Sequence, residues 1–368
     1  MRIVIKLGTS TLTCKDGLLN KKYISSLALN LNELQNENHE FLIVSSGAIG
    51  AGRSHLKVNV RPRTLREKQA FAAVGQPLVI SAYSDAFAKY GKTIAQILLT
   101  RDDFDKRDKY LNMRNTLNTL IENDVIPIIN ENDSVAVEEI NFGDNDTLSA
   151  LVAAATNASK LVIFTDVDGI YDAYPSKSSI IPRIEKITEE IERLATGNSS
   201  SSEKGTGGMK TKIIAAKIAG ASGVDTIITN GLKLNSLKNI VSGSSFDQVG
   251  TLIKASLRSF EAKKSWIAFS KKVKGTIFVN AKAMEALVSK GKSLLAVGIM
   301  KVSGNFKRGD SVSISNFENS NNKDFARGLT NYDSEIIEKI KGKKVLEIEK
   351  IIDVTDDEVI HRDNLVIL

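Results

Sequence analysis

MRIVIKLGTS, residues 1–10, is the stretch that decides the fold class of the chain. Its apolar run, Ile3–Leu7, ends directly at Gly8. Runs of the same kind recur through the first 257 residues, at Phe41–Val44, Ile94–Leu99, Val125–Ile129, Leu161–Phe164 and Thr226–Thr229. Because these runs are continuously apolar instead of alternating, they predict strands that are covered on both faces.

Patterns typical of helices lie between these runs. Apolar side chains three or four residues apart form stripes within residues 24–34, 111–121 and 148–155. Strands that alternate with helices predict an α/β domain with a mostly parallel central sheet sandwiched by helices. Such sheets bind ligands at the carboxyl ends of their strands, so we expect the functional side chains in the loops that follow the strands.

The sequence changes in character after Ser256. Short segments with strand composition and glycine turns follow. They lie at Trp266–Phe269, Gly275–Val279, Leu294–Val302 and Ser311–Ile314, with one helix at Lys282–Lys290. We therefore predict a larger α/β domain over residues 1–257, a linker over residues 258–264, and a small, mainly β domain over residues 265–368.

Composition argues against several classes of protein. A single cysteine, Cys14, excludes an internal disulfide and favours a reducing compartment, so we expect a cytoplasmic location. No apolar stretch reaches the roughly 18 residues that a membrane span needs, and the brief apolar start lacks the long core of a signal peptide. The three histidines show no ligand spacing, which argues against a histidine metal site.

The net charge of +7 is unevenly distributed along the chain. Residues 258–352 contain 19 Lys and Arg against 10 Asp and Glu, so the basic excess lies mainly in the second domain. A basic domain can bind an anionic partner such as RNA. A lysine-rich solvated surface is the simpler interpretation of the charge alone.

Two loops contain residues suited to phosphate groups. Gly8, after the first strand, lets the backbone approach a ligand, and Lys6 adds a point charge. GTGGMKTK, residues 205–212, precedes a helix whose N-terminus favours anions, and Lys212 can reach the β- and γ-phosphates of a nucleotide. The loop after the first strand matches neither the P-loop nor the Rossmann fingerprint, so an ordinary strand-to-turn glycine beside an exposed lysine is the alternative there.

Three further loops contain polar side chains that packing alone does not explain. VSSGAIGAG, residues 44–52, offers Ser46 as a donor to a substrate carboxylate. INEND, residues 129–133, ends in Asp133, a candidate partner for a substrate ammonium group. GDND, residues 143–146, opens a helix, where N-capping accounts for one of its three polar residues. The structural alternative is close helix–strand packing for the glycines of VSSGAIGAG and an ordinary polar turn for INEND.

Six motifs, in their order along the chain, resemble those of the amino acid kinase family and, within it, those of the kinases of L-glutamate. They are VIKLGTS, VSSGAIGAG, INENDSVA, GDNDTLSA, FTDVDGIY and GTGGMKTK. INEND with GDND is the more specific pair, whereas the first, fifth and sixth motifs are shared with sister kinases. The segments GNFKRGD, FARGLTNYDSEII and HRDNLVIL resemble a PUA domain, which is an RNA-binding module in other proteins. Together these resemblances extend over almost the whole chain.

The resemblance implies roles for individual residues. Lys6 and Lys212 would face the phosphoryl group in transfer, and Asp146 would orient both lysines. The residues implied to hold glutamate are Ser46, Asp133 and Asn145. The residues implied to hold ATP are Lys6, Gly8, Thr165, Asp166, Thr206, Gly207, Gly208, Met209, Lys210, Thr211 and Lys212.

The implied reaction converts ATP and L-glutamate into ADP and L-glutamyl 5-phosphate, the entry to proline synthesis, with Mg²⁺ as cofactor. The residues agree with this chemistry, because a carboxylate with a pKa of about 4.3 is already ionised at neutral pH and needs no general base. None of the six kinase motifs contains a histidine. The resemblance also implies feedback inhibition by L-proline and a homo-oligomer, either a dimer or a tetramer.

Two alternatives stay open. A sister kinase acting on another carboxylate or on a nucleoside monophosphate would have similar loops, but a nucleotide acceptor would require phosphate-binding arginines, whereas INEND and GDND offer amide and acid groups. An RNA-binding protein whose kinase-like half only senses a metabolite would explain the basic second domain. The presence of Lys6, Asp146 and Lys212 argues against that second alternative.

Overall fold

The computed structural model describes residues 1–14, 18–58, 60, 62–136, 145–172, 179–197, 208–243, 249–255, 273–318, 324–343, 345–348 and 358–368. The chain separates into two units, Met1–Ser259 and Phe260–Leu368. The predicted linker, residues 258–264, lies outside the described residues, so the predicted domain boundaries stay a prediction. Among the described residues, no helix combines the length and apolarity that crossing a membrane requires.

The first unit is built on one eight-stranded sheet. Its strands are β1 (Arg2–Leu7), β2 (Glu40–Ser45), β3 (Ile94–Leu99), β4 (Ile126–Glu131), β5 (Lys160–Thr165), β6 (Arg183–Ile184), β7 (Asp225–Asn230) and β8 (Thr251–Ile253). Their order is β3-β4-β2-β1-β5-β7-β8-β6. The six strands from β3 to β7 are parallel, and β8 runs antiparallel to β7. The predicted α/β fold with a mostly parallel sheet is confirmed.

Ten helices of the described residues belong to this unit. They are α1 (Thr9–Leu12), α2 (Lys21–Gln35), α3 (Ala48–His55), α4 (Leu65–Ala88), α5 (Arg101–Asp105), α6 (Arg107–Glu122), α7 (Asn145–Ala155), α8 (Glu189–Gly197), α9 (Met209–Ala221) and α10 (Ser236–Ser242). The three predicted stripes lie in α2, α6 and α7. A capping box starts α4, in which Thr64 and Glu67 each accept a hydrogen bond from the other's backbone N–H.

Glycines bring α3 and α4 into close contact. A Cβ atom built on Gly52 would lie 1.9 Å from the carbonyl oxygen of Phe71, and one built on Gly75 would lie 1.8 Å from that of Ala48. Gly47, by contrast, has a φ of 101° and starts α3 in the left-handed region. At least two glycines of VSSGAIGAG are therefore required by the structure, Gly47 by the turn before α3 and Gly52 by the contact between the two helices.

The second unit has a five-stranded sheet. Its strands are β9 (Val273–Val279), β10 (Ile299–Gly304), β11 (Ser311–Asn316), β12 (Asp324–Leu329) and β13 (Leu365–Ile367), and its described helices are α11 (Ala281–Lys290), α12 (Ser334–Ile340) and α13 (Val345–Ile348). The order is β10-β9-β11-β12-β13, parallel between β9 and β11 and antiparallel elsewhere.

One predicted strand of the second unit is wrong in extent. The segment Leu294–Val302 was expected to be continuous, but Ala296–Gly298 forms a short 3₁₀ turn and the strand begins only at Ile299. The turn forms because the Gly298 N–H donates back to the Leu295 carbonyl, which takes these residues out of the ladder. The predicted strand Trp266–Phe269 lies outside the described residues.

Candidate active site

Three buried charged side chains meet at the carboxyl edge of the first sheet. Asp146 Oδ1 lies 2.7 Å from Lys6 Nζ, and Asp146 Oδ2 lies 3.1 Å from Lys212 Nζ. The exposed fractions of these residues are 6% for Lys6, 0% for Asp146 and 4% for Lys212. Since isolated buried charges are strongly unfavourable, each of them depends on these contacts. The structure thus brings together all three residues predicted as catalytic.

The fold explains why these side chains converge. Lys6 is the penultimate residue of the central strand β1, and Asp146 is the second residue of α7, which packs on β1. Lys212 lies in the first turns of α9, which packs against α7. The carboxylate is also favoured at the positive N-terminal end of α7. Thr211, one residue before Lys212, donates a hydrogen bond of 2.8 Å to Asp146 Oδ2.

The charge balance of this cluster suits an anion. Among the described residues, the ammonium groups of Lys6 and Lys212 contact the one carboxylate of Asp146, so these three buried side chains carry a net positive charge. A transferring phosphoryl group carries its charge on outer oxygens and is stabilised by preorganised cations of this kind. Gly8 adjoins the cluster, because a Cβ atom built there would lie 3.7 Å from Lys6 Nζ.

A second cluster of neutral polar groups starts at the neighbouring residue, Asn145. Asn145 Nδ2 donates to Ser46 Oγ at 2.8 Å and to Asn130 Oδ1 at 3.0 Å. Asn130 in turn donates to Gln76 Oε1 at 3.0 Å. The structure therefore joins Ser46, the residue directly after β2, to Asn145, at the start of α7. Both were predicted to hold the acceptor.

Asp133 lies in the loop after β4, the strand adjacent to β2 in the sheet. Burial raises the pKa of its carboxyl to about 6. The loop is anchored at both sides, because the Asn132 N–H donates to the Leu99 carbonyl at 2.8 Å and Gln69 Nε2 donates to the Ala136 carbonyl at 3.1 Å. A poorly hydrated carboxylate of this kind gains from a cationic partner.

The residues predicted to hold ATP lie at three places, the first of which is the end of β1 with Lys6 and Gly8. Thr165 ends β5, and its hydroxyl donates to Asp166 Oδ1 at 3.1 Å. Its carbonyl accepts from the Gly231 N–H at 2.7 Å, which ties the loop after β7 to it. The others open α9, after Gly208 as its N-cap: Met209, Lys210, Thr211 and Lys212. Thr206 and Gly207 lie outside the described residues.

Sequence reasoning missed two members of the neutral cluster. Asn130 belongs to the quoted INEND motif, but no separate role was assigned to it. Gln76 lies in α4, outside every motif, and only its side-chain contact with Asn130 reveals it. The motif gave a signal for Asn130, whereas nothing in the sequence distinguished Gln76 from the other glutamines.

The described residues offer no ready-made metal site. No group of three or more histidine, cysteine, aspartate or glutamate side chains among them lies close enough together to hold an ion. The two oxygens of Asp146 already contact Lys6 and Lys212. Mg²⁺ often keeps its waters and is bound through nucleotide phosphates, so its binding does not require such a group of side chains.

Comparisons with known proteins agree with this geometry. The model of the amino acid kinase family matches residues 1–230, and that of the PUA domain matches residues 275–352. The chain is 46% identical over 372 aligned residues to a glutamate 5-kinase of Thermoanaerobacter sp. (strain X514), with 100% of this chain and 98% of the relative covered. Identity to the glutamate 5-kinase of Caldanaerobacter subterraneus subsp. tengcongensis is 47%, with the same coverage.

Among solved structures, carbamate kinase from Giardia lamblia bound to AMP-PNP matches with a TM-score of 0.50 and 19% identity, over 69% of this chain and 98% of that one. That likeness concerns the fold alone, and it agrees with the parallel sheet of the first unit. The family models and the full-length relatives carry the assignment further: the chain belongs to the amino acid kinase family and contains a C-terminal PUA domain.

Proposed function

We propose that the chain transfers the terminal phosphate of ATP to the side-chain carboxylate of L-glutamate, giving ADP and L-glutamyl 5-phosphate, the first step of proline synthesis. Similarity to glutamate 5-kinases over the full chain supports this substrate. The structural observation that carries the proposal is the contact of Lys6 and Lys212 with the same carboxylate, that of Asp146, next to the cluster around Asn145.

The chemistry requires electrostatic stabilisation more than proton transfer. The glutamate side chain is ionised at neutral pH, so no base has to activate it. The barrier comes from bringing an anionic acceptor to an anionic nucleotide and from the charge of the transferring group. Lys6 and Lys212 lower that barrier, and Asp146 holds both ammonium groups in place. A single preorganised donor contributes about 3–4 kcal/mol in comparable sites.

The acceptor side orients glutamate for in-line attack. The ammonium group of glutamate is assigned to Asp133, whose burial favours a cationic partner, while Ser46 and Asn145 hold the substrate by hydrogen bonds. The loop at the N-terminus of α9 and the end of β5 hold ATP. Mg²⁺ would reach the site on the phosphates, where it neutralises charge on the nucleotide.

The remaining parts of the proposal concern partners and location. L-proline would act as a feedback inhibitor, the chain would form a dimer or tetramer, and it would work in the cytoplasm.

The PUA domain, with its basic excess over residues 258–352, would bind RNA. RNA retention by the full chain should fall steeply with salt, and an absence of retention at low salt would remove that part of the proposal.

A trapping assay tests the reaction. The purified chain is incubated with ATP, Mg²⁺, L-glutamate and hydroxylamine, and γ-glutamyl hydroxamate is the expected product, because hydroxylamine captures acyl phosphates. The rate of ADP release with L-glutamate is compared with the rates measured when aspartate, N-acetylglutamate or UMP is the acceptor. Faster ADP release with one of these than with glutamate would favour a sister kinase and contradict the proposal.

A further inference from the structure

One face of α4 carries three polar side chains at seven-residue intervals, Gln69, Gln76 and Tyr83. Since seven residues are close to two helical turns, all three lie on the same side of the helix. Gln69 hydrogen-bonds to the loop after β4, Gln76 to Asn130 within β4, and Tyr83 to the end of β2. This face of α4 therefore contacts the end of β2, the end of β4 and the loop after β4, next to residues that were assigned to the glutamate substrate.

Gln76 starts a continuous chain of hydrogen bonds toward the acceptor residues. Its Oε1 accepts from Asn130 Nδ2 at 3.0 Å, and Asn130 Oδ1 accepts from Asn145 Nδ2 at 3.0 Å. Asn145 Nδ2 also donates to Ser46 Oγ at 2.8 Å. Gln76 and Asn130 are 8% and 4% exposed, so water does not readily replace their contact. Three amides are thus linked head to tail.

The orientation of the amide groups in this series of hydrogen bonds is set at Asn145. Asn145 Nδ2 lies 3.4 Å from the backbone carbonyl oxygen of Ser45, which can only accept hydrogen bonds. This contact favours the orientation in which Asn145 turns its nitrogen toward the network. Asn130 then has to present its oxygen to Asn145 and its nitrogen to Gln76. Position 76 consequently requires a hydrogen-bond acceptor. With that acceptor in place, flipping the amide of Asn130 or Asn145 would break hydrogen bonds of this network.

We propose that Gln76 is a positioning residue for the acceptor, a role that rests on the proposed glutamate kinase function. By accepting from Asn130, Gln76 fixes the amide orientation of Asn130 and, through it, that of Asn145. With its nitrogen held in the network, Asn145 keeps its oxygen available to a donor on the substrate, such as the ammonium group of glutamate. Gln76 itself touches neither substrate.

The test replaces Gln76 with methionine, which has a similar volume but no oxygen acceptor. Gln76→Met should raise the KM for glutamate about tenfold, as expected when a buried amide donor loses its partner, and leave the KM for ATP within twofold of wild type. Gln76→Glu keeps an oxygen acceptor and should recover part of that loss. Gln96→Met makes the same change at an exposed position of β3 and should leave both KM values unchanged.

A double-mutant cycle shows whether Gln76 acts through Asn130. In an Asn130→Ala background, Gln76→Met should change the KM for glutamate by less than twofold. Where Gln76→Met does not fold, Gln76→Ala serves the same cycle. Additive effects, equal increases in both KM values, or equal losses in the methionine and glutamate variants would overturn the proposal. A wild-type chain that forms no γ-glutamyl hydroxamate would instead refute the proposed function.

Discussion

Asn145 and Asp146 are consecutive residues whose side chains belong to different clusters. Asn145 hydrogen-bonds to Ser46 on the acceptor side, whereas Asp146 contacts the two lysines assigned to the phosphoryl group. Adjacent residues of a helix point about 100° apart, so the start of α7 can serve both sides at once. Under the proposed function, the first turn of α7 would therefore set the distance between the acceptor and the phosphoryl group it receives.

Replacing Asp146 with asparagine should affect both activity and stability. The variant keeps the shape of the side chain but removes the negative charge that Lys6 and Lys212 contact. We expect kcat to fall at least about 100-fold, and the free energy of unfolding to fall by about 3 kcal/mol, because two buried ammonium groups lose their counter-charge. Steady-state kinetics and urea denaturation measure the two effects. Near-normal turnover would contradict the assigned role.

Removing one lysine should affect activity more selectively. In Lys6→Ala or Lys212→Ala, the other lysine still pairs with Asp146, so the buried carboxylate keeps a counter-charge. We expect kcat to fall about 100- to 1,000-fold in each variant while the protein stays folded. Lys217→Ala is the matched control, because Lys217 lies on the same helix but forms a surface ion pair with Glu192. Circular dichroism and kcat together check this prediction, which a fully active variant would contradict.

The strands were predictable because their apolar runs are buried on both faces, but strand ends were less so. The run Val125–Ile129 predicts β4, yet the strand continues to Glu131. Asn130 and Glu131 stay in the ladder because their backbone pairs with Leu98 and Leu99 of β3, whatever their side chains. The change from apolar to polar side chains therefore placed the end of β4 two residues too early.

Helix α4 was not among the predicted helices, and its polar contacts do not follow from an apolar pattern. Its buried face combines an apolar stripe, which includes Val79, Ala82 and Phe87, with Gly75 and Gln76, which such a pattern does not mark. The contact of Gln76 with Asn130 joins residues 54 positions apart, and only the packing of α4 over the sheet creates it. The charged cluster was inferable from its motifs, whereas the residues that support the acceptor side required the fold.

The contact between α3 and α4 should be sensitive to a single methyl group. In Gly75→Ala, the new Cβ would lie 1.8 Å from the backbone carbonyl of Ala48, so the two helices must separate. We expect a loss of at least about 1–3 kcal/mol in the free energy of unfolding, the usual result of overpacking. Ser81→Ala, at an exposed position of the same helix, is the control. Equal stabilities of the two variants in urea would refute the close contact.

Glutamate binding should weaken as the pH falls through the pKa of Asp133. Burial raises that pKa to about 6, so at pH 5 most of this carboxyl is protonated and no longer attracts an ammonium group. The substrate carboxylate stays ionised over this range, since its pKa is about 4.3. We expect the KM for glutamate to rise several-fold between pH 7 and pH 5, while the KM for ATP changes less.

Titration of Asp133 affects the stability of the fold in the opposite direction from glutamate binding. The effect on stability and the effect on the KM for glutamate can therefore be told apart. Between its ordinary value of 3.8 and about 6, Asp133 binds more protons in the folded than in the unfolded chain, so its contribution to stability falls as the pH rises through this window. Asp133→Asn should therefore show a high KM for glutamate that no longer depends on this titration, together with unchanged or increased stability at pH 7. Kinetics and urea denaturation at pH 5, 6 and 7 check both outcomes. If the variant kept the pH dependence of the wild-type KM, another group would be responsible for the titration, and Asp133 would lose its assignment to the substrate ammonium.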